Sequence, residues 1–214
     1  MDEAQKLIAK AENAKADLVE VRFDCLEKIG NLTNLSKSTS LPLIATNKLQ
    51  SEKGFFAGTE SERRQTLASA AKSGFEYVDV DFSISKRSET ISILKALGAK
   101  PIVSYHKFDG ILSASALEKI LDEQISSGAA ICKIVLTARQ VEDNLSVLSF
   151  VSFASTKAKI VCFCMGNPGK ISRLLSPVFG ATFTFASLDQ GSQTAAGQMT
   201  IQEMRRSYEL LGIE

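Results

Sequence analysis

Two residues offer the most reactive chemistry in this chain. Lys133 lies inside an apolar run, Ile131-Cys132-Lys133-Ile134-Val135-Leu136. His106, the only histidine among 214 residues, closes another, Pro101-Ile102-Val103-Ser104-Tyr105-His106. An ammonium taken out of water is costly, so a lysine buried on a strand must pair, lose its proton or react. A desolvated lysine near a group that carries protons at neutral pH is the equipment for imine formation on a carbonyl. The plainer alternative is a strand-end lysine that reaches solvent or a carboxylate, but its place between Ile131 and Val135 on one strand face speaks against that. A lone histidine is more often structural; beside Lys133, His106 becomes a candidate acid–base.

Other side chains are open to both kinds of reading. Glu20 and Arg22 stand two apart, hence on one strand face, where a structural ion pair is as good an account as a binding role. Asp79 is read in the same way. Cys164-Met165-Gly166-Asn167-Pro168-Gly169 is a strand-to-helix turn, with Arg173 in the first turn of the helix that follows. Its planar fork suits a carboxylate. Cys132, Cys162 and Cys164 fall in strand-like segments and Cys25 follows another; without further His or Cys close by they read as buried thiols, and no metal site is expected.

These residues need elements to position them. Apolar runs predict strands at 17–23, 41–46, 76–82, 101–105, 131–136, 159–164 and 181–185. Amphipathic segments predict helices at 3–14, 61–73, 86–97, 115–127, 141–152, 170–177 and 201–211. A strand-then-helix repeat of about 25–30 residues means parallel strands joined by right-handed crossovers. Val19, Val21 and Phe23 oppose Leu18, Glu20 and Arg22; Val78, Val80 and Phe82 oppose Tyr77, Asp79 and Asp81. Ile44, Thr46 and Lys48 share a face, as do Ile102, Ser104 and His106, and Ile131, Lys133 and Val135. One face therefore turns polar toward the carboxyl end in strand after strand, as at the mouth of a (β/α)8 barrel. No Gly-x-Gly-x-x-Gly follows an early strand, which weakens the rival doubly wound sheet. The expectation is one α/β domain over 1–214, a TIM (β/α)8-type barrel whose first strand is missing from this chain.

The composition narrows the partners. With 44% hydrophobic residues the chain can bury a large core, and 25 basic against 24 acidic residues leave a net charge of +1. That balance argues against nucleic acid or a membrane as the main partner. The charged start, Met1-Asp2-Glu3-Ala4-Gln5-Lys6, holds no apolar signal region, and no run approaches the ~20 apolar residues of a membrane span. A cytoplasmic enzyme acting on a small molecule is expected. The Gly-, Ser-, Thr- and Gln-rich segment 187–200 reads as a mobile flap that could shut out water.

In order along the chain stand Glu20-Val21-Arg22, Ser104-Tyr105-His106, Lys133 in its strand, Met165-Gly166-x-x-Gly169-x-x-Ser172-Arg173, and Ala195-Ala196-Gly197-Gln198. This ordered set resembles type I 3-dehydroquinate dehydratase from about Asp17 to the C-terminus. The Met-Gly-x-x-Gly-x-x-Ser-Arg element with a downstream Gly-Gln is its most specific part. The resemblance implies a shikimate-pathway lyase that converts 3-dehydroquinate to 3-dehydroshikimate without metal or cofactor. It assigns imine formation to Lys133 and proton transfer to His106, with Glu52 assisting the histidine. It gives the substrate carboxylate to Arg173, helped by Gln198 and Thr194, and the substrate hydroxyls to Glu20 and Arg22. Lys48 is a further binding position, where the family commonly has Arg; Lys107 and Ala196 also depart from its pattern. A homodimer is one assembly to expect. The rival readings are another imine-forming barrel, such as a class I aldolase, and an impaired barrel kept as a binding module.

Overall fold

The computed structural model describes residues 2–191 and 194–213. Six strands alternate with helices: α1 (Asp2–Asn13), β1 (Val19–Arg22), α2 (Leu32–Ser36), β2 (Leu43–Thr46), α3 (Glu60–Lys72), β3 (Tyr77–Asp81), α4 (Arg87–Ala96), β4 (Lys100–His106), α5 (Ala114–Ser126), β5 (Ile131–Thr137), α6 (Asp143–Ala154), β6 (Ile160–Met165), α7 (Lys170–Leu175) and α8 (Ile201–Leu211). Strand order follows the chain, β1-β2-β3-β4-β5-β6. The fold is α/β with parallel pairing, as the strand–helix repeat requires. Among the described residues no helix is long and apolar enough to cross a membrane.

The chain divides into two compact units, Met1–Val103 with Ser127–Ala130, and Ser104–Ser126 with Ile131–Glu214. In the first, β1, β2 and β3 are in parallel register, with Glu20 beside Ile44, Arg22 beside Thr46 and Ile44 beside Tyr77. Partners in a parallel pair point the same way, so alternation sorts the residues onto two faces. Val21, Leu43, Ala45, Val78 and Val80 pack with Leu35 of α2, Leu67, Ala70 and Ala71 of α3 and Leu94 of α4 as the core. Glu20, Arg22, Thr46, Asp79 and Asp81 are left on the opposite face. Capping fixes where the helices begin. Thr59 and Glu62 form a reciprocal capping box on α3, and the Asn31 side chain caps α2 by accepting from the Asn34 amide.

In the second unit β5 and β6 run parallel through six residue pairs, with Lys133 beside Val161 and Val135 beside Phe163. Ser172 anchors the following helix: its hydroxyl accepts from the Cys164 amide (3.0 Å) and its amide donates to Asn144 Oδ1 of α6 (2.9 Å). Gly169 makes this close approach possible, because a Cβ there would stand 2.7 Å from Cys164 Cβ.

The expected strand at 181–185 does not form. Thr182 N donates to Ile160 O at the start of β6, as the first rung of a ladder would, but the ladder does not continue, and the Phe185 carbonyl accepts from Arg173. The expected flap holds an isolated parallel bridge between Ser187 and Thr200, with the Ser187 amide on Met199 O and the Ile201 amide on Ser187 O. Ser192 and Gln193 of that flap lie outside the described residues.

Candidate active site

The residues singled out in the sequence fall into two groups, each within one unit. The first group holds Glu20, Arg22, Lys48 and Glu52. Glu20 Oε1 accepts from the Thr46 hydroxyl at 2.8 Å, a contact the β1–β2 register makes possible. Arg22 grips Asp24 with both arms of its fork, at 2.9 and 2.6 Å. Burial alone would lower the guanidinium's pKa, but the hydrogen bonds and charge of Asp24 raise it instead. Arg22 therefore works as a fixed cation.

Lys48 is buried between two carboxylates of β3, with Nζ 2.7 Å from Asp79 and in a short contact with Asp81. Desolvation is outweighed by those charges, which push the ammonium's pKa above its ordinary value. Arg63 of α3 reaches the same Asp81, donates to the Asn47 carbonyl and pairs with Glu60. Lys48 thus sits in a charge network rather than as an isolated binding cation. Glu52 ends a short 3-10 turn, Gln50–Glu52, and accepts from the Ser83 hydroxyl at 3.2 Å. Desolvation, then the nearby Asp81 charge, push its carboxyl above the usual range. A carboxyl so placed holds a proton at higher pH than one in water.

The second group holds His106, Lys133, Arg173, Thr194 and Gln198. Lys133 is 5% exposed and its Nζ lies 4.4 Å from the centroid of the Phe185 ring. Gln124 of α5 donates to its backbone carbonyl at 2.9 Å, pinning the strand from the helix side. The Lys107 amide donates to Val135 O (2.8 Å), which sets His106 alongside Val135, the residue that follows Lys133 on the same face of β5. His106 is half-buried and its ring stacks on Phe108, with centroids 6.0 Å apart. A lysine and an imidazole one strand apart on one face form the pair that imine chemistry needs.

Arg173 is 1% exposed. Its guanidinium carbon lies 4.2 Å from the Phe163 centroid and Nη1 donates to the Phe185 carbonyl at 3.3 Å. Among the described residues Nε and Nη2 have no hydrogen-bond partner. Desolvation pulls its pKa down to about 10. A buried cation with two orphaned donors is built for an anion, and the planar fork matches a carboxylate. On the Gly-Gln loop, Gln198 Oε1 accepts from the Thr194 amide at 2.9 Å and from its hydroxyl at 3.4 Å. The Gly166 amide donates to Ala196 O at 3.0 Å, which ties this loop to the turn leading into α7.

Asp81, Arg63, Asn144, Phe163 and Phe185 were not singled out in the sequence. Asp81 was visible there on the polar face of its strand, one turn of the alternation beyond Asp79. The others become partners only through contacts distant in sequence. Among the described residues no group of three or more His, Cys, Asp or Glu side chains could hold a metal ion.

The comparisons with known proteins agree on one relationship. The model of the family described as type I 3-dehydroquinase matches residues 1–214. A 3-dehydroquinate dehydratase of Dehalococcoides mccartyi is 35% identical over 201 residues, covering 94% of this chain and 88% of the relative. One from Pyrococcus abyssi is 32% identical over 211 residues, covering 99% and 95%. The crystal structure of the 3-dehydroquinate dehydratase from Aquifex aeolicus VF5 superposes with a TM-score of 0.84 at 26% identity, over 98% of this chain and 94% of that one.

Proposed function

Because the chain belongs to the type I 3-dehydroquinase family, we propose that both groups of residues serve one reaction within a single catalytic domain spanning 1–214. That reaction is the dehydration of 3-dehydroquinate to 3-dehydroshikimate through a lysine imine, a step of the shikimate pathway. The observation that carries the reading is Arg173, a buried guanidinium with two unmet donors beside the aromatic residue that also contacts Lys133.

Lys133 Nζ attacks the substrate ketone, and the carbonyl oxygen departs as water, leaving a positively charged C=N bond. That cation draws electrons, so a proton on the neighbouring carbon becomes acidic enough for His106 to remove. The hydroxyl one carbon further then leaves with its bonding pair, taking a proton back from His106. Hydrolysis of the imine releases product and regenerates Lys133. Arg173 holds the substrate carboxylate, with Gln198 and Thr194 closing over it. Glu20, Arg22 and Lys48 receive the substrate hydroxyls, and Glu52 assists His106. In this reading the sheet belongs to a (β/α)8-type barrel in which β1 takes the second strand's place. The setting proposed with it is the cytoplasm, a small-molecule substrate, no nucleic-acid or membrane partner, and a homodimer.

The test is the conversion itself, followed by the absorbance of the conjugated product. The parent should turn over 3-dehydroquinate, and His106→Ala should slow it about 10²–10⁴-fold while a Lys133 adduct accumulates. A parent that leaves 3-dehydroquinate unchanged would contradict the proposal.

A further inference from the structure

We infer that Phe185 is a positioning residue that sets the spacing between the imine-forming amine of Lys133 and the guanidinium of Arg173; this rests on the function proposed above. Its ring centroid lies 4.4 Å from Lys133 Nζ, and its backbone carbonyl accepts from Arg173 Nη1 at 3.3 Å. Phe163 closes the circuit, with its ring 6.2 Å from the Phe185 ring and 4.2 Å from the Arg173 guanidinium carbon. Phe183 packs edge-on against Phe185 at 5.5 Å. Residues 183–186 belong to no helix or strand, so side-chain contacts, not a ladder, orient the ring.

An aromatic face attracts a desolvated cation. When Lys133 condenses with the ketone, two protons of the ammonium leave with the carbonyl oxygen as water. The third proton and the positive charge stay on the nitrogen of the new C=N bond. The ring therefore faces a cation before and after the step, and what it supplies is placement. The substrate carries its carboxylate and its ketone at fixed positions on one six-membered ring, so an amine held at a fixed distance from the guanidinium meets the ketone without a search. Phe185 holds the amine with its ring and the guanidinium with its carbonyl. Substitution of the side chain changes the first contact and leaves the second in place.

The experiment compares Phe185→Leu and Phe185→Tyr with the parent in two ways. One is the rate at which borohydride-trapped adduct forms on Lys133 at saturating 3-dehydroquinate, measured alongside KM. The other is the ring-current displacement of the Lys133 Hε resonances in the ligand-free protein, assigned by their loss in Lys133→Met. Phe185→Leu should slow adduct formation about tenfold with KM changed less than about threefold, and should abolish the displacement. Phe185→Tyr should restore both, to within about twofold for the rate. Equal slowing in both variants, parental rates in Phe185→Leu, or a parent without the displacement would overturn the inference. If the ring displacement is present but the parent forms no adduct at all, the proposed reaction fails instead.

Discussion

At the scale of single residues, the site is organised around buried charge. Arg173 illustrates the cost: desolvation holds its pKa near 10, so at neutral pH the folded state carries a cation it would be more stable without. Arg173→Met should therefore raise stability by about 1–3 kcal/mol, a few degrees in Tm, while weakening substrate binding by about 2–5 kcal/mol. Calorimetry and titration read the two effects, and a lowered Tm with unchanged affinity would refute the role given to Arg173. Glu52 makes a pH-dependent case. Its folded pKa lies above its ordinary value, so the ionised form is disfavoured in the fold. That penalty is present above the folded pKa and disappears as pH falls below the unfolded value of about 4.3. Glu52→Gln should be more stable than the parent at pH 7 and equal to it near pH 4, a difference that denaturant titration at both values would measure. The burial of Lys133 was legible in the sequence, because a lysine between Ile131 and Val135 on one strand face has apolar neighbours on both sides; the roles given to His106 and Arg173 came from the resemblance, not from type and spacing alone. The partners of Lys48 were not legible, since its contacts with Asp79 and Asp81 join positions 31 and 33 residues apart.

At the scale of elements, alternation along the strands was the legible part. The polar set of Glu20, Arg22 and Asp79 and the apolar set of Val21, Val78 and Val80 separate onto two faces as period two demands. The segment 181–185 was misleading because its apolar pattern suits a strand, yet its residues contact Lys133 and Arg173 instead. Phe185 lends a ring to Lys133 and a carbonyl to Arg173, and the Thr184 hydroxyl donates to Arg173 O. The loop at 194–198 is set by Gly197, whose φ is +75° and whose missing Cβ lets the chain pass over Gly166. An added Cβ would stand 2.2 Å from the Gly166 carbonyl oxygen. Gly197→Ala should push the loop away, displacing Gln198 and raising KM about tenfold or more, with kcat less affected. Steady-state kinetics would check this, and an unchanged KM would show that the loop does not close over the substrate.

At the scale of the whole molecule, sequential strand order and parallel pairing follow from the strand–helix repeat, with α2, α3 and α4 covering the apolar side of β1, β2 and β3. The repeat was legible because it recurs along the entire chain; the count of strands was not, since a final strand is decided by which partners its backbone finds. Likeness to the 3-dehydroquinate dehydratase of Aquifex aeolicus over 98% of this chain shows that the α/β fold is shared. The central claim is that this architecture exists to make Lys133 an imine-forming amine. Borohydride reduction in the presence of 3-dehydroquinate, followed by peptide mass analysis, tests it most directly. The account predicts a single adduct on the peptide bearing Lys133, absent in Lys133→Ala, which should keep its fold and lose turnover. An adduct on Lys48 or any other lysine, or turnover by Lys133→Ala, would contradict it.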